Sequence, residues 1–173
     1  MDIQLSIKHI PLHKGFYIAG FVDGEGSFYI AARKRSDYSS GWKLSLHFNI
    51  SQGEKSILEI CKKYLACGQI RESRPEFYTF EVSNMSHLKS SIIPFFTHFG
   101  FLSNKKKFEF SIFKKALALL EKGIHCQDDL KNFLDYRAKL NRYRKTRIIH
   151  TDEEIQKSFK YSNFVKESSE TIR

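Results

Sequence analysis

Acidic residues are scarce in this chain: 19 Asp+Glu stand against 29 Lys+Arg over 173 residues, for a net charge of +10. Such an excess suits a polyanionic partner, nucleic acid or an anionic membrane surface. A basic protein without any such partner fits the charge too. Long apolar runs are also lacking, and none approaches the roughly 20 residues that span a bilayer, which makes the membrane the weaker choice. Met1 to His13 mixes charged and apolar residues and has no continuous signal-peptide core. Cysteine is sparse. Cys61, Cys67 and Cys126 are odd in number and have no Cys-x-x-Cys spacing, so neither a disulfide framework nor a structural zinc site is expected, and a reducing compartment suits the chain. The seven histidines are scattered; His9 and His13 are four apart but have no third ligand nearby, so no histidine metal site is expected. What is abundant is phenylalanine, 16 residues within a 41% hydrophobic composition, ample for the core of a single domain.

Read for period, the chain gives two similar halves and a helical tail. Phe16 to Val22 is a short apolar run leading into Asp23-Gly24-Glu25-Gly26, where a helix is expected to stop. Ser27 to Arg35 alternates, with Phe28, Ile30 and Ala32 on one side and Tyr29, Ala31, Arg33 and Arg35 on the other. After a Ser- and Gly-rich turn the alternation is strict: Leu44, Leu46, Phe48 and Ile50 face one way, and Lys43, Ser45, His47, Asn49 and Ser51 the other. Glu54 to Leu65 reads as a helix with Ile57, Leu58, Cys61, Tyr64 and Leu65 on its apolar stripe. The pattern repeats in Gly68 to Ser73 and Phe77 to Ser83. There Ile70, Tyr78, Phe80 and Val82 point in, and Gln69, Arg71, Ser73, Thr79 and Glu81 point out. Ser86 can cap the next helix, which runs toward Phe99 and should bend near Pro94. Phe108 to Glu121 and Gln127 to Tyr143 read as amphipathic helices, the first with Phe110, Phe113, Leu117 and Leu120 in the core. Thr151-Asp152-Glu153-Glu154 is a capping-box signature for a last short helix. The order predicts an α+β fold, four antiparallel strands backed by helices with one sheet face bare. A single domain over 1–173 is expected, with a core at about 14–121 and a tail at about 122–173.

The bare face carries Tyr29, Arg33, Arg35, Lys43, Ser45, His47, Asn49, Gln69 and Arg71, with one acid, Glu81. These side chains can read base edges and meet phosphates, and a β-ribbon fits the major groove. A plain solvated face is the competing reading, though such a face usually mixes Lys with Glu and Thr. In Ile18 to Gly26, Gly20 and Gly24 are four apart with Ala19 beside them, leaving one helix stripe almost without side chains. Each glycine costs about 1 kcal/mol relative to alanine in a helix, a loss offset if another backbone comes very close. That suggests a tightly crossed helix pair in a symmetric dimer, with two Glu25 carboxylates at the dyad in an oxygen-lined site suited to Mg²⁺. A glycine-rich turn with a capping acid explains the same stretch.

Phe16 to Ser27, Phe-Tyr-Ile-Ala-Gly-Phe-Val-Asp-Gly-Glu-Gly-Ser, resembles the LAGLIDADG motif of homing endonucleases, with Ile18 for its leading Leu. With one copy, the chain is similar to the single-motif, homodimeric branch encoded in introns of organellar rRNA genes. The strand Leu44 to Gln52, Ile93-Pro94-Phe95-Phe96, the run Lys105-Lys106-Lys107 and the segment Leu140-Asn141 with Lys145-Thr146-Arg147 match that layout. The resemblance implies an αββαββα fold with a saddle-like sheet on double-stranded DNA, in a chloroplast or mitochondrion. It implies a site-specific endonuclease cutting a long pseudo-palindromic target, with Mg²⁺ ions at the subunit interface, and leaving 5′-phosphate and 3′-hydroxyl ends with short 3′ overhangs. Glu25 matches the motif's metal-binding acid and Gly24 the residue whose carbonyl also faces the metal. Asp23 matches the first acid, for which a helix-terminal structural role is favoured over ligation. Gln52 falls where the family positions water, and Lys105 and Lys106 are the choices for the active-site lysine. The DNA-contacting set extends to Ser51, Ser73, Thr79 and Glu81 on the sheet and to Lys145 and Arg147, a basic run that is otherwise read as solvated. Phe16, Ala19, Gly20, Asp23 and Gly24 are implied at the dimer contact. Two alternatives share the fold: an RNA maturase with the host intron RNA as partner, and a DNA-binding protein that no longer cleaves.

Overall fold

Strands with one apolar face must pair so that those faces share a cover. In the computed structural model, which describes residues 7–142 and 149–161, four do so: β1 (Gly26–Lys34), β2 (Trp42–Gln52), β3 (Gln69–Arg74) and β4 (Phe77–Val82). They form one antiparallel sheet in the order β1-β2-β4-β3. Gly26 opposes Ile50, Arg33 opposes Lys43, and Glu81 lies between Asn49 and Gln69. The expected α+β architecture is therefore present, in the expected order of elements.

One face of the sheet is covered by helices: α1 (Leu12–Glu25), α2 (Lys55–Leu65), α4 (Ile93–Phe99), α5 (Asn104–Lys122) and α6 (Gln127–Asn141). The core between them is dominated by phenylalanine. The Phe28 ring lies 4.9 Å from that of Phe113 and 5.1 Å from that of Phe48, and Phe96 closes the cluster 5.5 Å from Phe48. Each such buried ring stabilises the fold by about 1.5–3 kcal/mol through apolar burial. Gly15 lets α1 approach α4 closely, since a Cβ there would lie 2.1 Å from the Phe99 ring. A second, smaller core joins Trp42, Leu130, Leu134 and Ile155, through which α7 (Asp152–Ser158) docks on the start of β2. Trp42 Nε1 donates to Ser158 Oγ at 3.0 Å, and the Lys160 amide donates to the Ser40 carbonyl at 3.0 Å.

Several boundaries depart from the sequence reading. The first helix stops within Asp23-Gly24-Glu25-Gly26, as expected, but only after Glu25, which is its last residue. Gly26 ends it, because a Cβ there would meet Val22 Cγ1 at 2.5 Å and the Val22 carbonyl oxygen at 2.7 Å. β1 begins at that glycine and ends at Lys34, which puts Arg35 in the hairpin loop. Asn84, not Ser86, caps the helical turn α3 (Met85–His87), its side chain accepting from the His87 amide. The expected bend near Pro94 is a π-helical turn, Leu88–Ile92, placed just before the proline.

β1 is an edge strand, and unpaired edge groups are a liability unless something covers them. Asn141, the last residue of α6, covers them at Ile30: its Oδ1 accepts from the Ile30 amide at 3.2 Å and its Nδ2 donates to the Ile30 carbonyl at 2.8 Å. Asn141→Ala is expected to destabilise the fold by about 1–3 kcal/mol, read as a lower urea midpoint with an unchanged slope. An unchanged midpoint would make this clamp incidental.

Candidate metal centre and nucleic-acid interface

The last turn of α1 contains two acids, Asp23 and Glu25, and no base. That is the wrong charge for a helix C-terminus, each carboxylate costing about 0.3–1 kcal/mol against the helix dipole unless something positive meets it. Asp23 is met within the chain. Its Oδ2 accepts from the amides of Leu102 and Ser103 at 2.9 and 2.8 Å, and its Oδ1 accepts from the Ser103 hydroxyl. Ser103 in turn caps α5. Asp23 thus ties the end of α1 to the start of α5, the helix-terminal role favoured for it. Its carboxylate is engaged inside the chain, while the residue stays half-exposed at the end of α1. Partial burial opposes its ionisation, but the bonds from Ser103 and Leu102 and the charge of Lys106 prevail and hold it below the usual aspartate range. A depressed carboxylate stabilises the fold above its unfolded-state value and loses that contribution as pH falls through the lower folded one. Acid unfolding of the wild type should therefore steepen below about pH 4, and Asp23→Asn should flatten that limb in a pH series of melting curves.

Glu25 differs: it is exposed, and its carboxylate has no hydrogen bond or ion pair among the described residues. The carbonyl of Gly24, also exposed, lies in the last helical turn, where i+4 partners run out. Carboxylate and carbonyl oxygens are the donor set of a hard cation. No group of three or more His, Cys, Asp or Glu is clustered among the described residues. Lys106, one of the two choices for the active-site lysine, is only 5% exposed. Its Nζ donates to the Gly26 carbonyl and pairs with Glu109 Oε2 at 3.0 Å, which places it next to the motif's end. Lys105 points outward, 3.9 Å from the other Glu109 oxygen. Gln52 ends β2, and the Gly26–Ile50 pairing puts it at the same end of the sheet as Glu25.

The outward stripe of α1 is apolar and then bare. Leu12, Phe16 and Tyr17 are 63%, 57% and 56% exposed, and Gly20 and Gly24 continue the row with nothing within 4 Å of a Cβ at either. The packing of this chain does not require those glycines. Ala19 is not on that stripe; it is buried in the chain's own core, which corrects its place in a subunit contact.

The bare sheet face is built around Glu81. Its Oε1 accepts from the Tyr29 hydroxyl at 2.8 Å and lies 3.0 Å from His47 Nδ1, while Oε2 lies 3.2 Å from Arg71. The Tyr29 and His47 rings stack at 4.6 Å, and Ser45 Oγ meets His47 Nε2 at 2.9 Å. Burial opposes ionisation of Glu81, but the bonds from Tyr29 and His47, with the charge of Arg71, hold its carboxyl below the usual range. Arg33 and Lys43, both exposed, stand directly opposite each other, a like-charge pairing that is unfavourable in isolation and relieved by a bound anion. Asn49 and Gln69 share this face. Two members of the expected set lie differently. Thr79 is 5% exposed, held under Ser51 and Ser73 by hydroxyl contacts of 2.8 and 3.4 Å, which removes it from direct reach of a ligand. Arg35 is engaged by both oxygens of Asp37 at 2.7 Å in the hairpin loop. Lys145 and Arg147 lie outside the described residues. Sequence reasoning missed the hub role of Glu81, the Asn141 clamp and the close approach at Gly15. None of the three has a periodic signal; the lone acid on a basic face was the only available cue.

Residues 18–117 match the family described as LAGLIDADG endonuclease. Among curated relatives, the chain is 32% identical over 130 residues to "Probable intron-encoded endonuclease 2" of Neurospora crassa, covering 72% of this chain and 28% of the relative. It is 31% identical over 106 residues to "Probable intron-encoded endonuclease Cox1-I1b" of Schizosaccharomyces pombe, covering 61% of this chain and 27% of the relative. The chain thus spans little more than a quarter of the length of these fungal proteins. Among solved structures, the archaeal intron-encoded homing endonuclease I-Vdi141I, complexed with DNA, superposes with a TM-score of 0.74 at 27% identity over 84% of this chain and 93% of that one. I-SmaMI bound to cleaved DNA superposes with a TM-score of 0.70 at 27% identity, over 83% of this chain and 46% of that one. The fold is that of the LAGLIDADG homing endonucleases. With more than half of its length matched and its motif at the end of α1, the chain belongs to the LAGLIDADG endonuclease family.

Proposed function

We propose that this protein is a site-specific double-strand DNA endonuclease of intron homing, acting as a homodimer with Glu25 of each subunit at a shared Mg²⁺ centre. The observation that carries this reading is the Glu25 carboxylate, unpaired among the described residues, at the end of a helix whose outer stripe is apolar and side-chain-poor, beside a sheet face of donors and cations. Two copies crossed at Gly20 and Gly24 would bring their Glu25 carboxylates together and join two sheets into one reading surface with two-fold symmetry, hence a pseudo-palindromic target. Glu25 and the Gly24 carbonyl are the oxygens that would hold Mg²⁺, which when bound polarises the phosphate and makes water acidic enough to attack. Lys106, fixed by the Gly26 carbonyl and Glu109, supplies positive potential at that end of the sheet, and Gln52 offers an amide to orient water. Arg33, Lys43, Asn49 and Gln69 would meet the groove directly, and Lys145 and Arg147 would meet phosphates. The products would be 5′-phosphate and 3′-hydroxyl ends with short 3′ overhangs. An organellar setting is supported by relatives named for introns of Cox1 and ND4.

The test is to incubate the protein and Mg²⁺ with a randomised-site DNA library and sequence the cut ends. One pseudo-palindromic family of cut sites with 3′ overhangs is expected. Binding to a defined site with no cut ends would overturn cleavage and leave a DNA-binding protein on this fold.

A further inference from the structure

On a surface meant to bind a polyanion, an acid is out of place unless it does something the cations cannot. Glu81 is the one acid of the outward face, and it is only 18% exposed at its side chain. Both its oxygens are used: Tyr29 and His47 at one, Arg71 at the other, three residues from three different strands. An ionised carboxylate only accepts, so the His47 ring presents an Nδ1–H to Glu81, and its Nε2 meets the Ser45 hydroxyl. The stacked Tyr29 ring fixes the plane of that imidazole. Removing the carboxylate takes one shared partner from a phenol, an imidazole and a guanidinium at once.

We propose that Glu81 is a positioning residue that locks Tyr29, His47 and Arg71 into a single recognition unit, so that the base pairs under them are discriminated jointly and not one by one. This rests on the DNA-binding reading above. The groups that bear on the carboxylate come from every strand beside it: Tyr29 on β1, His47 on β2 and Arg71 on β3. Side chains free to choose rotamers accept more than one base edge, whereas a pre-oriented donor rejects the wrong one. Glu81 repels phosphate, so its loss should also raise sequence-independent affinity.

The experiment is a binding selection on a degenerate-site DNA library with Ca²⁺ in place of Mg²⁺, for wild type, Glu81→Gln and Glu81→Ala, alongside His47→Gln, Arg71→Ala and their double variant, each made in the wild type and in both Glu81 variants. In the wild type, the His47 and Arg71 variants should relax the same contiguous base pairs, and the double variant should lose less discrimination than the sum of the two. In either Glu81 variant, discrimination at those base pairs should fall about tenfold, affinity for unrelated DNA should hold or rise, and the coupling between His47 and Arg71 should vanish. Unchanged preference at those base pairs, or effects of His47 and Arg71 that simply add, would overturn the proposal while the wild-type site preference kept the DNA-binding reading intact. Failure of both Glu81 variants to fold would overturn it too, as it would make Glu81 a residue of the fold. A wild type with no preferred site would sink the DNA-binding reading instead.

Discussion

Glu25→Gln is expected to remove Mg²⁺-dependent cleavage while fold and DNA affinity stay at the wild-type level. Glutamine keeps the shape and one carbonyl oxygen but not the charge, and a neutral amide does not hold a hard dication against water. The folded chain loses nothing, because the Glu25 carboxylate has no partner among the described residues and sits unfavourably at a helix C-terminus. A slight gain in melting temperature is therefore expected, together with a cleavage rate lower by a factor on the order of 10³ or more. Single-turnover cutting of a target plasmid, with binding followed separately, distinguishes the two effects. Cutting within tenfold of wild type would assign the chemistry to other oxygens.

The second large effect is expected at Gly20. In the isolated chain a Cβ there meets nothing within 4 Å among the described residues, and leucine replaces the poorer helix former, so the monomer should gain up to about 1 kcal/mol. Across a close helix crossing the same side chain forces the backbones apart, at a cost of about 3 kcal/mol, or roughly a hundredfold in dimer dissociation. Gly20→Leu should thus be a stable monomer that no longer cuts, where the wild type is expected to sediment as a dimer at micromolar concentration. A dimeric variant, or a monomeric wild type, would place the subunit contact elsewhere. A variant that is both monomeric and less stable would mean instead that the glycine serves the chain's own fold.

Much of this architecture is legible in the residues because a period of two is hard to mistake. Leu46, Phe48 and Ile50 alternate with His47, Asn49 and Ser51, and a sheet with one dry face is the direct consequence. The ends of elements are less legible. Glycine stops a helix only if the next turn needs it, and Gly24, exposed with open space around it, continues α1, whereas Gly26 stops it through the Val22 contact. α2 ends without any glycine signal, on Ala66 at φ 53. Burial of polar groups is less legible still. Alternation puts Thr79 on the outer face but does not reveal that Ser51 and Ser73 close over it, and a lysine run gives no sign that Lys106 turns inward to a backbone carbonyl 80 residues away in sequence. These are contacts between strands or helices far apart in the chain, settled by tertiary distance and not by local spacing.

The chain has one tryptophan, and it lies outside the phenylalanine core. Trp42 sits between β2 and α7, its indole nitrogen bound to Ser158 and its face met edge-on by His150 at 4.9 Å. Intrinsic fluorescence of this protein is therefore a local reporter. It follows whether α7 is seated against the start of β2, whereas the opposite end of the sheet and the end of α1 contribute no tryptophan signal. Undocking of α7 would expose the indole and shift its emission to the red while the circular dichroism of the sheet and helices stayed almost constant. Denaturation followed by fluorescence alone would then measure the free energy of that one joint.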